Sequence, residues 1–596
     1  MKTSILLTEL KKFSFEMNKL HLSSLLIFLS SVVLTAAAFP AAPDSVTFTS
    51  SNLPIIVINT HGQEIPDDYK ITADMGIIYN GEGLRNNITD PYNNYNGKIG
   101  IEIRGSSSQM FPKKQYSVET RDASGNDLDV SLLGMPTEAD WILFAPYNDK
   151  SLMRDAIVYR LARDMGRYAS RSKYCEVVLN GQYVGIYVLF EKIKRDANRV
   201  NIKKMEATDV SGDAVTGGYI IKIDKTDGEN NAGWVSDYFP FPQSPRGVLY
   251  QYHVPKPDEI VAPQKVYIQD KISDFETAMR YSNNIADTAN GYPKYLDINS
   301  FADFVIINEV AKNVDAYRLS TYLYKDRDSR NPKIFAGPVW DFNLAFGNAN
   351  YYEGWLTTGW EILHLSDWNN ISPDEYFYIP FWWKKLFEDP AFQNVIYARW
   401  QLFKNNVFVP SRIDGIADSV ALLLDESKTR NFIKWPVLGV WVWPNWFVGQ
   451  SYVAEVNWLK AWIRARILWI DQNMVGGPSS VDEDNSPGRF VLEQNFPNPF
   501  SATTKIKYTL PSPYQGEGPG VRLGNVQRER SGGVPVSLAI YNLLGEEAAV
   551  LVSEIQSPGN YEIELNAKRL NLTAGIYLCR LTTGNALLTM KMIVVR

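Results

Sequence analysis

Apolar positions recur along the chain with two different periods, and the change from one to the other marks its elements. Alternation, the sign of a half-buried strand, runs through Ile99–Arg104, and a short apolar run fills Pro54–Ile58. Tyr174–Leu179 and Tyr183–Phe190 flank Asn180-Gly181. An Asn-Gly pair supplies the positive φ angles of a two-residue turn, so the spacing predicts a β-hairpin. Helical spacing puts Leu152, Ile157, Leu161 and Met165 on one face of Ser151–Met165, and a second helix is predicted near Phe301–Asn313. Strands are predicted at Tyr322–Tyr324 and Lys333–Phe335. The stretch from Asp374 to Met474 reads as mainly helical and ends in Glu455–Asn473, where Val456, Leu459, Ile463 and Ile467 form one stripe.

The pattern then breaks. Gly476–Gly488 is polar, rich in Gly, Pro and Ser, and without periodicity, as a flexible linker is. Beyond it, Lys505–Leu510, Val536–Asn542, Gly559–Leu565 and Gly575–Leu581 read as short strands of a β-sandwich. Ser512–Pro535 interrupts that rhythm and is expected to be a disordered inserted loop. At the other end, Lys11, Lys12 and Lys19 precede an apolar run over Leu20–Leu34, followed by Ala36-Ala37-Ala38. This predicts a cleavable signal peptide; the run is too short and too rich in serine for a membrane anchor, and no later segment reads as one. The expected organisation is a signal at 1–38, a large α+β domain at 45–474 with a helical C-terminal part, a linker at 475–489 and an all-β sandwich at 490–596.

Composition narrows the chemistry. The net charge is −6 over 596 residues, and with the leader removed the remainder is near −8, with no basic stripe. Nucleic acid is therefore not an expected partner. The two cysteines, Cys175 and Cys579, fall in different domains, which excludes a disulfide framework and a cysteine-ligated zinc site. Cys175 is read as a core residue. The four histidines are scattered, and no zinc-helix or nucleophile-elbow motif occurs.

Two ordered sets of motifs carry resemblances. Phe496-Pro497-Asn498-Pro499-Phe500, Ile540-Tyr541-Asn542-Leu543-Leu544-Gly545 and Ala574-Gly575-Ile576-Tyr577 make Phe490–Arg596 similar to the C-terminal sorting domain of the type IX secretion system. That resemblance implies export through the periplasm to the surface or medium, with the type IX machinery as a partner. In the large domain the order is Arg104–Ser108, Phe111–Tyr116, Tyr147–Arg154, Leu179–Tyr187, Glu191–Ile193, Gly217–Tyr219, Asn313–Asp315 and Val339–Asn343. This succession resembles the CotH family of spore-coat-type atypical protein kinases over roughly Ser45–Asn473. It implies a kinase-like domain that moves phosphate from ATP, with Mg²⁺ or Mn²⁺, to Ser or Thr of a protein substrate.

Phosphoryl transfer needs a cradle for phosphates, a cation on them, metal-binding oxygens and a carboxylate near the attacking hydroxyl. Arg104 to Ser108, with Arg104 and Ser106, forms a Gly/Ser loop after a strand, whose N–H groups suit phosphate but equally suit a plain turn. Lys113 and Lys114 open the next extended run. If Tyr116 and Val118 face the core, alternation turns Lys114 inward as the phosphate lysine, although both read equally as solvated strand-end residues. Arg154 and Glu191 are candidates for nucleotide binding or for a structural ion pair. Asp341 and Asn343, two apart, leave an extended backbone on one face and suit Mg²⁺. The resemblance implies that Asp315 serves the substrate hydroxyl. It also implies a metal ligand five residues on, where many relatives carry Asn and this chain has Ser320, a poorer donor. The rival readings are a non-catalytic surface protein, for which the aromatic tract Trp435–Trp446 offers a binding face, and a polysaccharide-acting enzyme, for which no carboxylate pair declares itself.

Overall fold

The computed structural model describes residues 46–226, 233–242, 244–372, 375–477, 491–510, 534–542, 547–583 and 586–595. The expected signal peptide, nearly all of the expected linker and the body of the Ser512–Pro535 loop lie outside the described residues. The chain divides into two compact units on either side of the Gly477–Pro478 bond.

The first unit begins with a closed barrel. Its strands are β1 (Ile55–Asn59), β2 (Ile71–Ile78), β3 (Tyr95–Arg104), β4 (Gln115–Arg121), β5 (Asp140–Phe144), β6 (Ser172–Leu179) and β7 (Gln182–Glu191). They follow one another round the ring as β1-β2-β3-β4-β5-β7-β6. Every neighbouring pair is antiparallel except β6 with β1, whose parallel register sets Ile55 opposite Glu176 and closes the ring. Closure leaves no unpaired edge. Ile58, Ile77, Ile101, Val118, Trp141 and Cys175 are among the side chains that fill the interior. The predicted hairpin is β6–β7, with Asn180 at φ 50° and Gly181 at φ 77°.

Strand β5 is buried along its whole length because both of its faces are covered. Trp141 and Leu143 point into the barrel, whereas Ile142 and Phe144 join a larger outer core. Helix α1 (Arg154–Asp164) lays Ile157, Val158 and Leu161 into that outer core. A second sheet comprises β8 (Tyr219–Ile223), β9 (Gly233–Val235), β10 (Leu249–Val254), β11 (Thr321–Lys325) and β12 (Ile334–Ala336), in the order β9-β10-β8-β11-β12. Helices α2 (Ala262–Tyr281) and α3 (Ile298–Ala311) lie between β10 and β11 in sequence. Helix α3 is apolar nearly all round and buried from Ser300 onward, as a helix threaded through a core must be. The Asp297 carboxylate caps its start by accepting the Ser300 N–H. A short helix α4 (Glu361–Ser366) precedes the predicted helical region, which holds α5 (Phe381–Glu388), α6 (Pro390–Lys404), α7 (Pro410–Leu423), α8 (Ser427–Lys434) and α9 (Tyr452–Gln472). Among the described residues no helix is long and apolar enough to cross a membrane.

The second unit is a β-sandwich. One sheet is β13 (Val491–Leu492), β14 (Thr503–Leu510) and β17 (Gly559–Asn566). The other is β15 (Val534–Tyr541), β16 (Glu547–Gln556), β18 (Gly575–Thr583) and β19 (Ala586–Val594), ordered β16-β15-β18-β19. Alternate residues Ile506, Tyr508, Leu538, Ile540, Cys579 and Leu581 share its core. The Asn-Phe-Pro-Asn-Pro-Phe motif ties the opening of this unit to its last strand. Asn498 Oδ1 accepts the Ile593 N–H at 2.8 Å, and the Phe500 N–H reaches the Ile593 carbonyl at 3.0 Å.

One lysine expectation is corrected by this architecture. Tyr116 and Val118 do face the barrel core, but β4 starts only at Gln115, so alternation does not extend back to Lys114. The buried residue is Lys113, whose Nζ donates to the Ile186 carbonyl at 2.6 Å and to Asn431 Oδ1 on α8 at 2.9 Å. Burial lowers its pKa from 10.5 to about 7. Between those values the unfolded chain binds more protons than the folded one, so this group makes stability rise with pH, by at most about 1.4 kcal/mol per pH unit. Urea unfolding of wild type and Lys113→Met at pH 7, 8.5 and 10 should show wild type gaining relative to the variant as pH rises. Parallel curves would remove the assignment.

Candidate active site

Strand β3 ends at Arg104, and the chain turns at Gly105, where φ is +93°. L side chains rarely adopt that φ, so this turn favours glycine. The turn forms one wall of an open cleft that encloses about 900 Å³, its mouth included. Arg104 lies over the Trp340 ring at 5.9 Å. Lys225, just past β8, also lines the cleft, and its Nζ donates to Ser107 Oγ at 2.9 Å.

The opposite wall comes from the end of α3. Lys312 takes the left-handed conformation there at φ 44° and stops the helix. Asn313 Oδ1 then accepts the Asp315 N–H at 3.2 Å. Asp315 reaches the cleft with 18% of its side chain exposed, and Arg318 Nη2 donates to its Oδ1 at 3.0 Å. Burial raises the Asp315 pKa, and the charges of Arg318 and Lys225 oppose that rise. Ser320 lines the same cleft in a left-handed conformation, φ 44°.

Asp341 and Asn343 share the cleft, but not for the reason expected. The backbone is not extended: Asp341 is left-handed at φ 62°. An unstrained strand would not hold it so, and helix α1 supplies the restraint. The Tyr159 hydroxyl accepts the Asp341 N–H at 3.1 Å, and Asp155 Oδ1 accepts the Phe342 N–H at 2.7 Å. Asn343 Nδ2 donates to Asn148 Oδ1 at 3.1 Å, and Arg154 Nε donates to the Ala345 carbonyl at 3.0 Å. The motifs Tyr147–Arg154 and Val339–Asn343 are therefore two halves of one polar contact. Asp341 is exposed to the solvent of the cleft, yet protein surrounds the carboxyl. Burial by those walls and the Asp315 charge push it up to about 6. Asp155 is buried, and burial followed by the Asp341 charge pushes it up to about 8.

The cleft thus gathers Arg104, Ser106, Asp315, Ser320, Asp341 and Asn343. It does not gather the other candidates. Lys114 Nζ donates to the Gln109 carbonyl at 2.6 Å, and Lys113 is sealed against α8. Arg154 forms a fully buried ion pair with Asp149. Glu191, also fully buried, pairs with Arg171 at 2.8 Å and Arg199 at 3.1 Å. Of the two roles left open for Arg154 and Glu191, the structural ion pair is what the contacts describe. Sequence reasoning missed Asn148, Asp155, Asp224 and Lys225. Asp155 adjoins a recognised motif but reads as an ordinary acid in the first turn of a helix. Asp224-Lys225 follows an apolar strand and carries no local mark.

The four carboxylates of the cleft, Asp155, Asp224, Asp315 and Asp341, outnumber its two cations, Arg104 and Lys225. That excess, with Asp155 Oδ2 buried and accepting no hydrogen bond of ordinary geometry among the described residues, fits a bound cation. Among the described residues no three His, Cys, Asp or Glu side chains are grouped to hold a metal. An ion here would take few protein oxygens and complete its shell from phosphate and water, as Mg²⁺ does.

The family model described as CotH kinase protein matches residues 101–470. The model described as a secretion system C-terminal sorting domain matches residues 494–595. No curated protein matches the chain.

The contacts of Arg154 separate a structural from a nucleotide-binding role. Arg154→Met leaves Asp149 charged and buried without its partner, which should cost about 3–5 kcal/mol in urea unfolding. Adding Asp149→Leu should recover much of that loss. A variant of unchanged stability with weakened ATP binding would contradict the structural role.

Proposed function

Because the chain belongs to the CotH kinase protein family, we propose that its large domain is a kinase-like enzyme that moves the γ-phosphate of ATP to a Ser or Thr hydroxyl of another exported protein. The sorting domain marks the chain for export to the cell surface or medium by the type IX machinery. One observation carries the kinase reading: segments more than two hundred residues apart, at Arg104–Ser107 and at Asp315 and Asp341, meet around a single cleft with an excess of negative charge.

In this reading the Arg104–Ser108 turn, Arg104 and Lys225 hold the phosphates. Asp341 and Asn343 hold Mg²⁺ or Mn²⁺, which when bound neutralises charge on the phosphate oxygens. Asp315 faces the acceptor hydroxyl, oriented by Arg318. The hydroxyl oxygen forms a bond to the γ-phosphorus as the bond to the β-phosphate oxygen breaks. ADP leaves, and the hydroxyl proton passes to Asp315. A carboxylate whose pKa burial has raised is suited to accept that proton.

A second reading, a non-catalytic surface protein, draws support from the exposed rings of Trp441 and Trp446. Trp446 stacks on Trp355 with ring centroids 4.4 Å apart. Nucleotide binding divides the readings. Asp341→Ala should abolish the thermal shift given by Mg²⁺-ATP. Asp315→Ala should keep that shift yet lower labelled-phosphate incorporation by about 10²–10⁴-fold. Neither shift nor incorporation in wild type, under Mg²⁺ or Mn²⁺, would leave the surface-protein reading.

Export has its own test. A chain ending at Gly477 should accumulate in the periplasm of a host with a type IX system, whereas the full chain reaches the surface or medium. Equal delivery of both would show that the β-sandwich is dispensable for sorting.

A further inference from the structure

Each acid of the cleft can be asked which cation balances it. Asp315 has Arg318 at 3.0 Å, and Asp224 has Lys222 at 3.5 Å. Among the described residues neither Asp341 nor Asp155 makes an ion pair. These two are also the pair joined through one backbone step, since Asp155 Oδ1 accepts the N–H of Phe342, the residue after Asp341. Asp155 is 3% exposed and lines the cleft; its second oxygen, Oδ2, is buried and accepts no hydrogen bond of ordinary geometry among the described residues, the Tyr159 hydroxyl being the one side-chain donor close to this carboxyl. Buried with no counter-charge, such a carboxyl either stays protonated or carries its charge only with something positive beside it.

We infer that Asp155 is a metal ligand of the cleft, supplying with Asp341 the second carboxylate for the divalent cation. The inference rests on the kinase reading for the presence of that cation. It extends the reading by placing a metal-binding residue on helix α1, where no motif pointed to one. The two oxygens of Asp155 then have different duties. Oδ1 fixes the Asp341–Phe342 turn, and Oδ2 faces the ion. Asn343, whose amide nitrogen is engaged by Asn148, turns its own oxygen free for the same ion or its water.

The test uses the full chain and Mn²⁺ alone, with binding followed by the paramagnetic resonance of free Mn²⁺. Asp155→Asn keeps the volume and an oxygen for the Phe342 N–H but removes the charge. It should retain the unfolding temperature of the metal-free protein and lose at least about tenfold in Mn²⁺ affinity, since even outer partners of a metal site cost that much. Asp341→Asn serves as the comparison and should lose at least as much. If Asp155→Asn binds Mn²⁺ like wild type while Asp341→Asn does not, Asp155 only positions the turn, and the inference falls while the kinase reading stands. If wild type binds Mn²⁺ neither alone nor with ATP, the kinase reading fails and takes the inference with it. Asp155→Glu guards against a folding artefact: Mn²⁺ binding there stronger than in Asp155→Asn supports ligation, and wild-type affinity in both variants overturns it.

Discussion

The docking of Asn148–Tyr159 onto Asp341–Asn348 is the constraint on which the cleft depends. A left-handed conformation at a non-glycine residue costs about 1–3 kcal/mol and persists only where the surroundings over-determine it. Here Tyr159, Asp155 and Arg154, from one buried helix face, hold Asp341, Phe342 and Ala345 by hydrogen bonds of 3.1, 2.7 and 3.0 Å. The Arg154–Asp149 pair, fully buried, fixes the start of that helix in turn. Side-chain networks in a low-dielectric interior are rigid when satisfied and costly when broken. Loss of one member would therefore loosen the turn that aims Asp341.

Most of the architecture was legible because it follows from local pattern. The β6–β7 hairpin comes from Asn180-Gly181 between apolar runs, and α9 comes from one apolar stripe. The failures share a different cause, which is that the deciding partner lies far along the chain. Lys113 is buried by Asn431, 318 residues away, and no reading of Phe111–Tyr116 contains that information. The αL turn at Asp341 depends on a helix 182 residues earlier. Asp155 and Lys225 belong to the cleft only through tertiary placement. The motif order located the cleft well, in Arg104, Asp315 and Asp341, but could not separate residues that face it from residues that support its walls, such as Arg154 and Glu191.

Four aspartates line the cleft, and their neighbours assign them different work. An arginine beside Asp315 keeps a carboxylate that burial would otherwise neutralise available to a hydroxyl. Lys222 compensates Asp224. Asp341 has the distant Arg104 and Lys225 to offset repulsion from Asp315 and Asp224, and its pKa remains raised. In the proposed reaction one residue type thus serves as proton acceptor, wall charge and cation site, set apart by burial and by the position of basic side chains.

Ser320 shows how backbone geometry bears on the same division. Its φ of 44° lies in the left-handed region, which asparagine tolerates several-fold better than most residues. The CotH resemblance implies asparagine at this position, a residue that would both relax there and offer an amide oxygen. Serine gives up the conformational ease and presents a shorter, poorer donor. The backbone nonetheless keeps the turn that an asparagine would favour, because Thr321 immediately enters β11 and pairs with Ile223. The position is thus set by the sheet, while the chemistry at its tip has weakened. In the proposed site the burden of holding a cation falls accordingly on Asp155 of α1 and on Asp341, whose turn α1 fixes.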